Sequence, residues 1–278
     1  MEHGVVALLT DFGTRDAYVG VMKAVILSRF PSLRLVDLSH EIPAHDILSG
    51  AYLLYSAWDY FPAGSAFCVV VDPGVGGPRG TLVAEEGGRY LVAPDNGLIS
   101  LLARMKTGLS VFALDTAAVA GIFPPPPGLR SGSTFHGRDL FAPAAALCAA
   151  GQADRVRGPE LTPELLPAVR PKVRPPKVRP QSRTPGHLEG RIIHVDRFGN
   201  CITSLHRSDL TGTFVSRGFL VRAGRFSVRG LKTAYVEAEP GEALALIGSA
   251  EFLELSVREG SAARRYGLST GDAVWIEP

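Results

Sequence analysis

Two apolar runs in the N-terminal part of the chain each end abruptly in a carboxylate that is closely followed by glycine. The first run ends at Asp11 and the second, 67–71, ends at Asp72. Short apolar runs with turn residues behind them are typical of buried strands. Ligands of open α/β sheets bind just beyond the carboxyl ends of such strands. The pattern therefore predicts that Asp11 and Asp72 lie at one sheet edge, although capping of the next helix is the ordinary role of a lone Asp11.

The residues after Asp72 have the composition of a loop that builds a site. Pro73 disfavours helix at Asp72, and the glycines at 74, 76 and 77 allow a tight turn or a close approach to a ligand. The order of residues is neither that of a phosphate-binding P-loop nor that of a dinucleotide-binding fingerprint. The loop is therefore predicted to bind a ligand of another class.

Hydrophobic periodicity divides the chain into an α/β part and a β part. We expect an N-terminal α/β, Rossmann-like sheet domain over 1–165, a linker rich in Pro and Arg over 166–187 and a smaller C-terminal β-barrel-like domain over 188–278. The N-terminal helices are predicted over 17–30, 47–60, 97–105 and 138–150, and the strands over 33–38, 66–71, 80–84, 89–93 and 110–114. The C-terminal strands are predicted over 190–195, 201–205, 219–222, 234–237, 243–247, 252–257 and 273–276, with a helical turn over 261–266.

Composition limits the classes of function. A chain of 278 residues with 46% hydrophobic and 20% charged residues is typical of a globular protein of two domains. Its apolar runs are too short to cross a bilayer and no secretory signal is apparent, so we expect no membrane partner and a cytoplasmic location. The basic linker is interpreted as a solvated spacer, and a nucleic-acid partner is not expected because no aromatic residues are interleaved with its charges.

Cysteine and histidine residues show no metal-ligand spacing. The chain has three cysteines, Cys68, Cys148 and Cys201, and no Cys-x-x-Cys pair. An odd number of dispersed cysteines argues against a disulfide framework and a structural zinc site. We therefore expect buried, unreactive thiols and no metal site.

Six short sequence motifs, taken together, resemble those of one known family. The chain resembles the S-adenosylmethionine hydroxide adenosyltransferases, which are related to the fluorinase and chlorinase that attack the same molecule with halide. The motifs occur in order over nearly the whole chain, at 10–13, 71–76, 93–98, 134–139, 196–200 and 248–262.

The resemblance implies an enzyme that hydrolyses S-adenosyl-L-methionine to adenosine and L-methionine, with no metal and no cofactor. It implies a catalytic trio of Asp72, Arg79 and His136 that acts on the attacking water. Arg79 would stabilise hydroxide character, and Asp72, kept ionised by Arg79, would orient the water. His136 is better placed to take a proton at neutral pH, but the identity of the proton acceptor stays open.

The resemblance also implies which residues bind the substrate. Asp11 and Asp72 would meet ribose hydroxyls or nearby polar groups, and Asn200 would contact adenine or a polar edge of the substrate. The other expected contacts are Ser249, Glu254, the backbone of Val257, and the rings of Phe198 and Phe252. Family members are trimers with the site between subunits, so a homotrimer of this kind is expected.

Three other functions remain open at this point. A halide-dependent halogenase is the nearest, although the carboxylate of Asp72 would repel halide and Val75 and His136 stand where halogenating relatives carry small hydroxyl side chains. The second is a non-catalytic protein that binds or senses S-adenosylmethionine or adenosine. The third is a metal-assisted hydrolase built on Asp and His residues that converge from distant positions.

Overall fold

A computed structural model describes residues 4–125, 128, 132–161, 188–210 and 219–277. The chain divides into two compact units, the first ending at Arg170 and the second beginning at Pro171. The first unit is α/β and the second is mainly β, so the predicted fold class is confirmed. The predicted linker over 166–187 lies outside the described residues, and its bounds stay a prediction.

The first unit is a mixed seven-stranded sheet in the order β2-β1-β3-β5-β4-β6-β7. Neighbouring strands from β2 to β5 in this order run parallel, and the remaining pairs are antiparallel. Its strands are β1 (Val5–Thr10), β2 (Arg34–Ser39), β3 (Ala66–Val70), β4 (Thr81–Glu86), β5 (Arg89–Pro94), β6 (Ser110–Leu114) and β7 (Arg157–Glu160). Its helices are α1 (Tyr18–Arg29), α2 (Ile47–Trp58), α3 (Ser100–Met105), α4 (Thr116–Ile122) and α5 (Ala142–Ala149), the last preceded by a π-helical turn, Gly137–Phe141.

Apolar packing covers both faces of this sheet. On β3, Ala66, Cys68 and Val70 belong to one core with α1 and α5, while Phe67 and Val69 belong to a second core with α2 and α3. A strand buried on both faces needs apolar side chains at every position. This explains why the sequence shows continuous apolar runs that stop only where the strands leave the core.

The second unit is an antiparallel sheet in the order β11-β10-β14-β8-β9-β13-β12. A bridge between Lys232 and Leu246 joins the segment after β11 to β12, so the two edges approach each other and the sheet is barrel-like, as predicted. The strands are β8 (Leu188–Val195), β9 (Cys201–His206), β10 (Leu220–Ala223), β11 (Phe226–Arg229), β12 (Ala243–Ile247), β13 (Phe252–Val257) and β14 (Ala273–Glu277), and the helix is α6 (Ala262–Tyr266).

Local details both confirm and correct the predicted elements. The helical turn before Gly267 is confirmed, and Gly267 ends it with a φ of 67°. The strand predicted over 234–237 is wrong: Tyr235–Glu237 is a 3₁₀ turn. The Glu237 carboxylate accepts the Thr233 N–H at 3.2 Å and closes the turn, which outweighs the strand preference of Tyr and Val.

Three further elements were not predicted, whereas the expectation for the cysteines is confirmed. Helix α4, where Asp115 accepts the Ala118 N–H at 2.9 Å, was not predicted, and neither were β7 and β11. All three cysteines are free and buried, as expected, and burial raises the pKa of the Cys148 and Cys201 thiols to about 12. Among the described residues, no helix combines the length and the apolar character needed to cross a membrane.

Glycine at position 190 leaves room for a core leucine of the second unit. A Cβ at this position would lie 2.5 Å from Cγ of the fully buried Leu205. We expect Gly190→Ala to lower the free energy of unfolding by about 1–3 kcal/mol through overpacking, measured by denaturant titration. In a Leu205→Ala background the same substitution is expected to cost clearly less, because the leucine carbons are gone. An equal cost in both backgrounds would contradict this packing.

Candidate functional site

Strands β1 and β3 end side by side and carry two carboxylates to one edge of the sheet. Thr10 at the end of β1 pairs in register with Val70 at the end of β3, and Asp11 and Asp72 follow. The predicted common edge is confirmed. Helix α1 begins at Tyr18 with Ala17 as its N-cap and without a capping side chain, so Asp11 does not cap it.

Asp11 ties the end of β1 to the loop before α2. Its side chain is only 8% exposed, and Oδ2 accepts the backbone N–H of His45 at 2.9 Å. His45 adopts a left-handed φ of 69°, which a carboxylate on its N–H helps to hold. Among the residues the structure describes, no donor reaches Oδ1, so this oxygen is free to accept a hydrogen bond from a ligand.

A chain of polar side chains, which begins at the buried Thr10 and His40 and ends at the surface, supports the loop behind Asp11. The hydroxyl of Thr10 lies 2.8 Å from Nδ1 of His40, and Nε2 of His40 lies 3.0 Å from Asp37. Lys23 donates to the same carboxylate at 2.6 Å. The Gly13 N–H donates to the His40 carbonyl at 2.7 Å, so both sides of Asp11 are fixed by this chain.

Asp72, Arg79 and His136 form one hydrogen-bonded group. Nε of Arg79 donates to Oδ1 of Asp72 at 2.7 Å, and Nη2 donates to Oδ2 of Asp72 and to Nδ1 of His136, the latter at 2.9 Å. The Asp72 and Arg79 side chains are 4% and 11% exposed. The guanidinium also lies over the ring of Phe141 at 5.5 Å. The sequence motifs over 71–76 and 134–139, which contain Asp72 and His136, therefore converge on Arg79 in space.

The hydrogen bond from Arg79 determines which ring nitrogen of His136 carries the hydrogen. A guanidinium only donates hydrogen bonds, so Nδ1 of His136 must accept, and neutral imidazole then carries its hydrogen on Nε2. Burial and the nearby charge of Arg79 lower the pKa of His136, with Asp72 and Asp139 acting in the opposite direction. The ring is therefore a neutral donor from Nε2 at pH 7. This geometry does not support the expectation that His136 is the better base.

Two glycines allow the loops of this group to pack closely. Gly76 has a φ of 75°, and a Cβ there would lie 2.6 Å from the Ser133 carbonyl oxygen. A Cβ on Gly137 would lie 3.1 Å from Sδ of Met22 and from the ring of Phe135. The backbone around Arg79 and His136 is therefore held by contacts that a larger residue at either position would break.

Arg79 and His136 also line a cavity of about 700 Å³ in the first unit. Asp95, directly after β5, lies on its wall, and burial raises the pKa of this carboxyl. Asp139 is on the wall as well, but Arg138 and the Gly132 N–H donate to it. Asp95 was not among the predicted site residues, although the sequence motif over 93–98 contains it.

In the second unit, Asp196 organises the turn that presents Asn200. Its Oδ1 accepts the N–H groups of Phe198 and Asn200 at 2.9 and 2.8 Å, and its Oδ2 accepts Nδ2 of Asn200 at 2.9 Å. Gly199 has a φ of 87° and lies so close to Ser261 that no side chain fits there. Because a carboxylate only accepts, the Asn200 amide nitrogen faces Asp196, and its carbonyl oxygen is left to accept from a ligand.

Glu254 is a buried carboxylate held by two hydroxyl groups. Ser256 donates to its Oε1 at 3.0 Å, and Tyr235 donates to the same oxygen. Burial raises the pKa of Glu254, while both hydroxyl donors oppose that rise. Oε2 lies against Gly248, where a Cβ would be 2.7 Å away. Tyr235 was not among the predicted site residues.

The remaining predicted contacts of the second unit differ in exposure. Ser249 is exposed in the turn between β12 and β13, and Val257 is buried at the end of β13. The ring of Phe198 is 75% exposed and available to a ligand. Phe252 is fully buried beside the His206 ring at 5.1 Å, which favours a core role over stacking on a base. These placements do not test the predicted binding roles.

Potential metal ligands do not gather in the part of the chain that the structure describes. Within those ranges, no three side chains of His, Cys, Asp or Glu are arranged to hold a metal ion. The expectation of a site without metal stays a prediction. What the first unit does assemble is an arginine buried between a carboxylate and an imidazole.

Comparison with known proteins identifies the family. Residues 6–157 match the model of the SAM hydroxide adenosyltransferase N-terminal domain, and residues 190–275 match that of the C-terminal domain. The chain belongs to the SAM hydroxide adenosyltransferase family. The family resemblance that the six sequence motifs indicated is thus confirmed.

Individual relatives of this family member match it over nearly their full length. An (R)-S-adenosyl-L-methionine hydrolase of Thermus thermophilus is 39% identical over 275 residues, 96% of each chain. One of Methanocaldococcus jannaschii is 31% identical over 98% of this chain and 95% of its own. A fluorinase of Nocardia brasiliensis is more distant, at 26% identity over 98% and 96%. A crystal structure of an uncharacterized conserved protein from Thermotoga maritima is 31% identical, with a TM-score of 0.80 over 98% of this chain and 100% of that one.

The charge of Arg79 is expected to set the titration of His136 in this adenosyltransferase-family chain. In the parent protein the pKa of His136 should lie below 6.5, so protonation of this residue lowers stability as the pH falls below that value. Arg79→Gln should raise the pKa of His136, because the cation is removed while Asp72 remains.

The measurement is an NMR titration of the His136 ring protons. Arg155→Gln, which removes an exposed arginine outside this group, serves as the control and should leave the titration unchanged. An unchanged or lower pKa in Arg79→Gln would show that the guanidinium does not control the ring.

Proposed function

We propose that this chain hydrolyses S-adenosyl-L-methionine to adenosine and L-methionine. The observation that carries the proposal is the group of Asp72, Arg79 and His136 at the strand ends, in a chain whose family relatives include (R)-S-adenosyl-L-methionine hydrolases. In the reaction, the oxygen of water bonds to the ribose C5′ and the bond from C5′ to sulfur breaks. The electron pair stays on sulfur, which leaves as the neutral thioether of methionine, and one proton is released.

The chemistry of this substrate suits a site without metal or redox cofactor. A sulfonium is already a good leaving group, so a positioned nucleophile and exclusion of bulk water are enough. An oxygen that gains negative charge approaches a positive sulfonium, and the two charges cancel in the transition state. A poorly solvated site therefore favours that state over the separated ions. We accordingly propose that no cofactor is required.

Each member of the trio has a role that its contacts support. Asp72 accepts hydrogen bonds from Arg79 on both oxygens, which fixes the orientation of the guanidinium. Arg79 supplies positive charge to an oxygen that develops hydroxide character. His136, neutral and carrying its hydrogen on Nε2, donates a hydrogen bond that orients the water or the developing hydroxyl group.

Substrate contacts are proposed for each unit from its own free acceptors. In the first unit, Oδ1 of Asp11 is available to a ribose hydroxyl, and Asp72 follows the neighbouring strand β3 at the same edge. In the second unit, the Asn200 carbonyl suits the amino group of adenine and the Glu254 carboxylate suits an amino group. Ser249, Val257 and the exposed Phe198 are proposed as further contacts. Phe252 is not retained, because its ring is buried.

Halogenation is the second candidate, and the fluorinase relatives are the reason to consider it. The site argues against it in this chain. The oxygens of Asp72 are negative and Val75 offers no hydroxyl donor, so a halide would meet repulsion without the hydrogen bonds that replace its hydration shell. A cytoplasmic location and a homotrimer are proposed from the sequence and from the family resemblance.

The direct test is incubation of the pure protein with S-adenosylmethionine in chelator-treated buffer made with oxygen-18 water. We expect adenosine that carries one oxygen-18 atom, together with methionine, detected by mass spectrometry. Parallel samples contain chloride or fluoride, and they should give the same product. Halogenated nucleoside would contradict the hydrolase assignment in favour of a halogenase, and bound but intact substrate would favour a binding protein.

Two substitutions are expected to separate chemistry from binding. His136→Ala should lower kcat by about 100-fold while changing KM little, because it removes a group that acts on the water. Asp11→Ala should mainly raise KM, because it removes a proposed ribose contact. Steady-state kinetics of both variants check the division, and equal effects on KM in both variants would contradict it.

A further inference from the structure

A third carboxylate lies at the same edge of the sheet as Asp11 and Asp72. Strands β1, β3 and β5 are parallel neighbours, and each is followed by an aspartate, which after β5 is Asp95. The backbone N–H of Asp95 donates to the Gly80 carbonyl at 3.0 Å. A Cβ on Gly80 would lie 3.4 Å from Oδ2 of Asp95, so the carboxylate rests against the residue next to Arg79.

The other side chains near Arg79 that could take a proton already accept hydrogen bonds from the protein. Both oxygens of Asp72 accept from the guanidinium, and so does Nδ1 of His136. The oxygens of Asp139 accept from Arg138 and from the Gly132 N–H. By contrast, none of the residues in the described ranges donates a hydrogen bond to the side chain of Asp95. Hydrolysis releases a proton, and within the trio no member is free to accept it.

Asp95 shares its cavity with the groups proposed to hold the water. The cavity of about 700 Å³ is lined by Asp95, Arg79 and His136, and it has room for several water molecules. Partial burial raises the pKa of Asp95, with no charged neighbour contributing to that rise. A carboxylate without donors and with a raised pKa is a better proton acceptor than one held by arginine.

We propose that Asp95 is the general base of the reaction and takes the proton from the attacking water. The assignment rests on the proposed hydrolase function. As the water oxygen bonds to C5′ and the pair of the C5′–S bond moves to sulfur, one hydrogen of the water transfers to the Asp95 carboxylate. The other hydrogen stays on the new 5′-hydroxyl group, and Asp95 then passes its proton to water in the cavity.

The titration of Asp95 should appear in the pH dependence of kcat. Among the described residues that line the cavity, the titratable groups facing it are Arg79 from the loop before β4, and His136 and Asp139 from the π-helical turn and its cap. His136 is already neutral above its lowered pKa. We therefore expect kcat of the parent enzyme to fall on the acidic side as Asp95 becomes protonated.

The test is Asp95→Asn, which keeps the shape of the side chain and removes its basicity. We expect kcat to fall by about 100-fold or more, with KM for S-adenosylmethionine within about threefold of the parent. The acidic limb should disappear, and the residual rate should rise in proportion to hydroxide concentration. Asp139→Asn removes the same charge from the same cavity and is expected to change kcat by less than about fivefold.

A second variant distinguishes a loss of rate caused by the missing base from one caused by misfolding. In Asp95→Ala, added formate should restore part of the rate, because the small carboxylate can enter the space and accept the proton. A kcat of Asp95→Asn within threefold of the parent would overturn the assignment. Equal losses in Asp95→Asn and Asp139→Asn, or a folded Asp95→Ala without formate rescue, would overturn it too.

Adenosine formation by the parent enzyme distinguishes failure of the role proposed for Asp95 from failure of the proposed hydrolase function. Labelled adenosine from the parent, with undiminished turnover in Asp95→Asn, contradicts only the role of Asp95. Failure of the parent to form adenosine contradicts the hydrolase function, and the role of Asp95 falls with it.

Discussion

The paired contact between Arg79 and Asp72 is the interaction on which the rest of the site depends. Both partners are almost fully buried, and removal of either partner of such a pair leaves an uncompensated charge at a cost of about 3–5 kcal/mol. The pair fixes the guanidinium in one orientation. That orientation determines which nitrogen of His136 accepts, and hence that the ring is a neutral donor rather than a base.

The sheet explains why carboxylates gather beside this arginine. Three parallel strands in the order β1, β3, β5 each stop at an aspartate where the apolar core ends. Asp11 is held by the loop before α2, Asp72 by Arg79, and Asp95 by neither. The same edge thus supplies a proposed binding group, an anchor for the arginine and a proposed proton acceptor. Differences in hydrogen bonding, rather than in residue type, give the three carboxylates their separate roles.

Much of the fold could be predicted because apolar patterns report burial directly. The continuous run at β3 reflects a strand covered on both faces, and Gly267 marks the end of α6 through its left-handed backbone. The turn at Tyr235–Glu237 could not be predicted, because a side-chain contact from Glu237 to the Thr233 N–H outweighs local strand preference. Short elements such as β7 and β11 carry too few residues to show a period.

The site could be predicted only in part, for a related reason. Sequence motifs contained Asp72 and His136, and the family resemblance implied Arg79 as well, but the direction of each hydrogen bond depends on how the loops fold. The neutral state of His136, and the lack of donors to Asp95 among the residues that the structure describes, are properties of contacts between distant segments. Phe252 was expected as a substrate contact from the resemblance, and the burial of its ring, which favours a core role, is visible only in the structure.

The role of the paired contact between Arg79 and Asp72 is tested most directly by the single-turnover rate of Arg79→Lys with S-adenosylmethionine. Lysine keeps the positive charge but lacks the planar fork that binds Asp72 through two hydrogen bonds and His136 through a third. We expect a loss of about 100-fold in the rate of C5′–S cleavage, with substrate affinity within a few fold of the parent. A rate close to that of the parent would show that charge alone is enough, and it would contradict the central role given to the geometry of the trio.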